Sequence, residues 1–131
     1  MSYKYFIGID ISKETFEVAH LNDKKTTSYS NDTQGFDDFL AALEHPKEDY
    51  LIILEATGGY EMQLLMSICE HHIAVHRLST LKSSHYIRSL RVFSKSDVID
   101  AMALARYGYE RGGDIILFKP NDHDQNRLHI L

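Results

Sequence analysis

Four consecutive apolar residues, Leu51-Ile52-Ile53-Leu54, stand between a charged, turn-forming stretch and Glu55. The run is too short for a buried helix and does not alternate with polar residues. It therefore reads as a central strand, because the side chains of a strand point to both sides and here neither side is polar. A second run, Tyr5-Phe6-Ile7-Gly8-Ile9, is equally β-prone and also ends on a carboxylate, Asp10. A strand buried on both faces obliges the rest of the chain to cover it. With 131 residues the chain has room for one such domain and a real core.

Residues 4–10 are predicted to be the first strand. Phe16-Glu17-Val18-Ala19-His20-Leu21 alternates apolar and polar, Asn22-Asp23-Lys24-Lys25 is a turn, and residues 25–30 form a returning strand. Together they predict an antiparallel meander. Asn31-Asp32-Thr33 offers capping chemistry for a helix over 34–43 with Phe36, Phe39, Leu40 and Leu43 on one face, ended by His45-Pro46. After the central strand, Ala56-Thr57-Gly58-Gly59 turns the chain into a helix over 60–71. A strand at 73–78, helical residues 80–90, a helix from Asp97 to Glu110 stopped by Gly112-Gly113, and a short strand at Ile115-Ile116-Leu117 complete the order. Strands alternating with helices after a meander imply an α/β domain built on a mixed sheet with helices packed on it.

Composition excludes several classes. The 44% hydrophobic and 25% charged content is that of a globular domain rather than a disordered one. No apolar run reaches the roughly 20 residues of a membrane span, and Met1-Ser2-Tyr3-Lys4 lacks the apolar core of a signal peptide. The single cysteine, Cys69, cannot form an internal disulfide and reads as a structural thiol of a cytoplasmic protein. The net charge of −5 is unevenly spread. From His71 to Ser96 there is no Asp or Glu, and Arg77, Lys82, Arg88, Arg91 and Lys95 give that window +5, leaving −10 elsewhere. A basic stripe beside an acidic cluster suits a polyanion held by one and cut or joined at the other. Lys82, Arg88, Arg91 and Lys95 are the candidate nucleic-acid contacts.

The acidic cluster is the sharper signal. Asp10 and Glu55 each close a predicted strand, and in open α/β sheets sites form at the carboxyl ends of strands. Asp97 and Asp100 head a helix whose stripe continues through Ala101, Leu104 and Gly108. Taken singly, Asp10 reads as a turn acid and Asp97 as a first-turn acid favoured by the helix dipole. Taken together, four converging carboxylates repel one another and resist burial unless a cation lies between them. All-oxygen ligation selects Mg²⁺ or Mn²⁺ over zinc. Two such ions suit phosphodiester chemistry by activating a nucleophile and stabilising the leaving oxygen.

Gly8-Ile9-Asp10-Ile11-Ser12-Lys13, Leu54-Glu55-Ala56-Thr57-Gly58-Gly59-Tyr60 and Lys95-Ser96-Asp97-Val98-Ile99-Asp100-Ala101 resemble, in order and spacing, the N-terminal domain of the DEDD transposases. These are bacterial insertion-sequence recombinases related to the Piv DNA invertases. The resemblance implies a RuvC-like, RNase H-like domain over 1–118: a mixed five-stranded sheet with helices on both faces. It implies that Asp10, Glu55, Asp97 and Asp100 are the catalytic, metal-binding tetrad for DNA strand cleavage and exchange. It further implies DNA as partner, homo-oligomers of the full-length protein, in some members a guide RNA encoded by the element, and no membrane partner. Residues 119–131 are then the start of a linker or helix toward a C-terminal domain. Ser96 stands where the family more often has Thr.

Two other readings keep the same fold. Gly8-Ile9-Asp10-Ile11-Ser12 also resembles the first phosphate loop of actin-like and sugar-kinase ATPases, although no further Gly-rich loop accompanies it. A non-catalytic nucleic-acid-binding module that retains the acids is the second.

Overall fold

Local turn chemistry folds the first thirty residues into the expected meander. The computed structural model describes residues 2–80, 82, 85, 86 and 97–120, with residues 97–100 described through their backbone. Strand β1 (Tyr5–Ile11) turns at Ser12, whose hydroxyl donates to the Thr15 carbonyl and accepts the Thr15 N–H. Strand β2 (Thr15–His20) then runs antiparallel to β1. Asn22 adopts φ 72°, the left-handed conformation that Asn tolerates, and β3 (Thr27–Ser30) returns along β2. Asp32 accepts the Gly35 N–H at 2.9 Å and starts α1 (Thr33–Ala41), two residues short of the predicted end.

A short 3-10 turn, Lys47–Asp49, leads into β4 (Tyr50–Glu55), which lies parallel to β1, in register from Tyr5↔Tyr50 to Ile9↔Leu54. Helix α2 (Met62–Glu70) follows, and β5 (Ala74–Leu78) is parallel to β4. The sheet order is β3-β2-β1-β4-β5. This is an α/β fold of the RNase H-like type, with the meander on one side of β1 and two parallel strands on the other.

Period-two alternation sorts the core into two layers. Ile7, Ile9 and Ile11 of β1 and Tyr50, Ile52 and Leu54 of β4 pack against Phe36 and Phe39 of α1 and Leu64, Leu65 and Ile68 of α2. Leu51 and Ile53 face the other way and meet Ala103, Leu104 and Tyr107 of α3 (Asp97–Arg111). The unalternating apolar run of β4 is thus covered on both faces.

Helix α3 lies directly on the sheet, because both surfaces are stripped of side chain where they touch. A Cβ at Gly8 would collide with the Ala101 carbonyl oxygen and the Ala105 nitrogen, and one at Gly108 would meet Ile53 at 2.8 Å. The order of these approaches fixes direction: Ala101 and Ala105 at Gly8, Gly108 at Ile53 and Phe6, Gly112 at Leu51. The helix therefore runs opposite to β1 and β4, with its first turn at their carboxyl ends.

One predicted element is absent. Ile115–Leu117 is not a strand but an irregular strap beside the edge strand β5. Phe118 N–H donates to Val75 O at 2.8 Å, and the Ile116 carbonyl is taken by the His76 ring at 2.7 Å, which interrupts a ladder. Thr80, Lys82, His85 and Tyr86 are helical as expected. The other residues of 80–90, the candidate contacts Arg88, Arg91 and Lys95, and the end of the 119–131 segment lie outside the described residues. Among the described residues no helix is long and apolar enough to cross a membrane.

The seam at Gly8 gives a direct stability test. Gly8→Ala must push α3 off the sheet, and overpacking against backbone costs about 3 kcal/mol. Urea unfolding should show the midpoint falling by that equivalent, while Gly113→Ala, with open space around it, should not change it.

Candidate functional site

The same alternation that builds the core places the acids. Asp10 shares a face with Phe6 and Gly8, and Glu55 with Leu51 and Ile53, so both belong to the face that α3 covers. One register step beyond Ile9↔Leu54 sets Asp10 beside Glu55, about 5 Å apart along the hydrogen-bonding direction. Glu55 ends its strand as predicted, whereas β1 continues one residue past Asp10 to Ile11. The backbone of Asp97 and Asp100 forms the first turn of α3, one turn ahead of Ala101 and Leu104, which are buried against the sheet. One helical turn rises about 5.4 Å and two strand residues about 7 Å. The turn preceding the Gly8 contact thus comes level with Asp10 and Glu55.

A further carboxylate belongs to this row. Glu17 pairs directly with Asp10 across the β1–β2 ladder, and directly opposed residues share a face. The Thr26 hydroxyl donates to Glu17 Oε2 at 3.0 Å. The signal was present in the alternation of Phe16-Glu17-Val18, but the partner of Glu17 depends on hairpin register. Among the described residues no three His, Cys, Asp or Glu side chains form a group able to hold a metal ion. Asp10 and Glu55 offer carboxylate oxygens alone, a donor set that fits a hard cation and not zinc.

The loop after Glu55 is held by a residue that the sequence pattern does not single out. Glu61 is the one buried charged residue among those described, with no exposed surface. Its Oε1 accepts the Thr57 N–H at 3.0 Å, the Thr57 hydroxyl at 3.1 Å and the Gly59 N–H at 3.1 Å. Its Oε2 accepts the guanidinium of Arg77 on β5 at 2.7 and 2.6 Å. Burial pushes this carboxyl up, but the loop amides and Arg77 outweigh it and hold it below the ordinary glutamate range. Gly58 and Gly59 take φ 75° and 114° to wrap around it. Arg77, counted in the basic window, is thereby committed to Glu61.

Two further bonds join this loop to its neighbours. Asn31 Nδ2 donates to the Ser12 and Tyr60 carbonyls, each at 3.0 Å, bridging the turns that follow Asp10 and Glu55. Thr80 Oγ1 donates to Ala56 O at 2.9 Å, tying the start of the helical residues after β5 to the same place. Lys82 is exposed there, its N–H capped by the Ser79 hydroxyl at 3.2 Å. Cys69 is half-buried beside Phe118, and burial raises its thiol pKa, as suits a structural residue.

The model of the IS110-type DEDD transposases, described as a transposase, matches residues 7–131. A pilin gene-inverting protein of Moraxella lacunata is 32% identical over 133 residues, and one of Moraxella bovis is 33% identical over 134. Each alignment covers 98% of this chain and 41% of the relative, so the chain spans about two-fifths of the length of these curated proteins.

The Glu61 clamp makes acid sensitivity predictable in sign. A carboxyl depressed on folding stabilises the fold above its unfolded value, near 4.5, and that contribution is lost as pH falls through the lower folded value. Glu61→Ala, which strands part of Arg77, should cost about 3 kcal/mol at pH 7. Glu61→Gln should flatten the fall in thermal midpoint below pH 4.5 relative to the parent chain. An unchanged acid slope would show that the clamp does not hold the loop.

Proposed function

Since the chain belongs to the IS110-type DEDD transposase family, we propose that it is the metal-binding, strand-cleaving domain of a DNA recombinase, with Asp10, Glu55, Asp97 and Asp100 as its acidic residues. The observation that carries this reading is the placement of Asp10 and Glu55 side by side on adjacent parallel strands, on the face covered by the helix that Asp97 begins. The two relatives are named for inverting a pilin gene, which supports rearrangement of DNA as the activity class of this chain.

Asp10 and Glu55, with Asp97 and Asp100 from the first turn of α3, would hold Mg²⁺ or Mn²⁺ through oxygen donors. A divalent ion there supplies the positive charge that activates an attacking oxygen and stabilises the one that leaves the phosphodiester. The chain's own part is rigidity. The β1–β4 ladder fixes the spacing of Asp10 and Glu55, the seam at Gly8 fixes the height of the helix, and the Glu61 clamp fixes the loop that leaves Glu55. Glu17, opposed to Asp10, adds negative charge that favours cation binding and disfavours the bare site.

The ATPase reading finds less support. A phosphate loop needs backbone open to the ligand at its glycine, and Gly8 is in mid-strand beneath the Ala101 carbonyl. A binding module that merely retains the acids is separable by experiment.

Asp10→Asn is the decisive variant. Removing one charge from an opposed pair should raise metal-free stability by about 0.5 kcal/mol. Mn²⁺ should raise the thermal midpoint of the parent chain and leave that of Asp10→Asn in place. Nicking of a labelled branched DNA in Mn²⁺ should be abolished in the variant. Equal Mn²⁺ stabilisation of both proteins would overturn the assignment of Asp10.

A further inference from the structure

On the face that carries the acids, a cleft of about 360 Å³ opens between the helical residues after β5 and α3. Its described lining is Lys82, His85, Tyr86, Tyr107 and Arg111. That volume is at the lower end for ligand sites, the size of a nucleotide rather than of a large cofactor. The described lining is two cations, a histidine and two tyrosine rings, and the Tyr86 hydroxyl donates to the Glu110 carboxylate.

Three cations elsewhere among the described residues are committed to carboxylates. Lys4 faces Asp49 at 3.9 Å, Arg77 is bound by Glu61, and Arg106 is bound by Glu110 at 3.3 Å. Lys82 and Arg111 are in no ion pair among the described residues. Glu110, the acid beside the cleft, is hydrogen-bonded by the Tyr86 hydroxyl and Arg106, and these with the nearby charge of Arg111 hold its carboxyl below the usual range. The cavity at the amino ends of β1 and β4 differs in kind, since Asp23 and Glu44 stand there beside His20 and His45.

The aromatic floor is preformed. Tyr86 meets Tyr107 edge-on with centroids 5.2 Å apart, His76 stacks behind Tyr107 at 6.3 Å, and the Arg111 guanidinium lies 5.8 Å from the Tyr107 ring. An arginine held against an aromatic ring keeps its charge and loses little freedom on meeting a phosphate. The cleft also lies close to the acids. Tyr107 packs on His76, which pairs with Ile53, two strand residues before Glu55. The cleft is therefore about 7 Å from the level of the acids along the strand direction.

We propose that this cleft is a second contact for the DNA strand, in which Lys82 and Arg111 hold a backbone phosphate beyond the one at the acids and the tyrosine pair packs against the adjoining sugar or base. The assignment rests on the reading of the acids as a DNA-cleaving site, and it adds what holds the strand away from the point of cleavage. Charge without a fixed donor pattern positions the backbone and reads no sequence.

The test is the salt dependence of binding to a fluorescent branched DNA, measured without divalent metal. Every phosphate that is no longer neutralised lowers the slope of log K against log salt by roughly 0.9. Lys82→Gln/Arg111→Gln should lower that slope by roughly 0.9, the equivalent of the one phosphate held, and weaken binding several-fold at low salt. Lys24→Gln/Lys25→Gln, the same charge change in the β2–β3 turn, should leave the slope near that of the parent. Arg111→Lys alone keeps the charge and should keep the slope. Equal slopes for the two double variants would overturn the cleft while leaving the acids untouched. A slope reduced only with a single-stranded RNA of matched length would overturn it in favour of an RNA contact. No DNA binding by the parent chain, together with no Mn²⁺ effect, would overturn the underlying reading as well.

Discussion

The packing of one helix against the backbone of one strand sets everything else in this fold. Gly8 in β1 faces Ala101 and Ala105 in α3, and no atom is available to hold the two surfaces apart. Close approach of this kind brings more dispersion contact per residue than a bulkier seam, and it leaves no freedom to slide. Because Gly108 and Gly112 continue the contact along β4, both the direction and the height of the helix follow. The first turn of α3 then has one place to be, at the carboxyl ends of β1 and β4. A carboxylate site spread over two strands and a helix needs that certainty, since an ångström of play would spoil its geometry.

Electrostatics works against this arrangement and is offset locally. Glu17, Asp10 and Glu55 form a row of acids across three neighbouring strands. Like charges at strand spacing cost stability, and a fold accepts that cost where a cation or a substrate gains from it. The compensation for the neighbouring loop is Glu61, whose two oxygens take five donors from Thr57, Gly59 and Arg77. A buried carboxylate satisfied in this way is stable only as a complete set, because each missing partner leaves a desolvated charge. It also removes Arg77 from the cations free to meet a polyanion. Lys82 and Arg111, which line the cleft on the face where the acids lie, take part in none of the three ion pairs found among the described residues.

Much of the fold was legible in the residues. The unbroken run 51–54 announced a strand covered on both faces, and Ile7, Ile9 and Ile11 against Phe6 and Gly8 set the inward and outward sides of β1. The stripe Ala101, Leu104, Gly108 identified the side of α3 that meets the sheet. Two features were not legible. Ile115–Leu117 has the composition of a strand, yet His76 takes the carbonyl that a ladder would need. Glu61 looks like any glutamate at the start of a helix, and only the folded loop shows that it has no exposed surface. Membership of the IS110-type DEDD transposases agrees with what the three motif blocks imply.

The sequence by itself determined which carboxylates stand out as candidates for the site. Carboxylates that close apolar runs are costly enough to stand out without coordinates, and alternation assigns each to a face. Tertiary structure decided which of them meet. Register across β1, β2 and β4 set Glu17 and Glu55 on either side of Asp10, and the glycine seam set the level of the helix beside them. It also decided which cations are spent and which are available. The reason is physical: periodicity is a local property of a chain, whereas register, helix height and ion pairing depend on contacts between residues far apart in sequence.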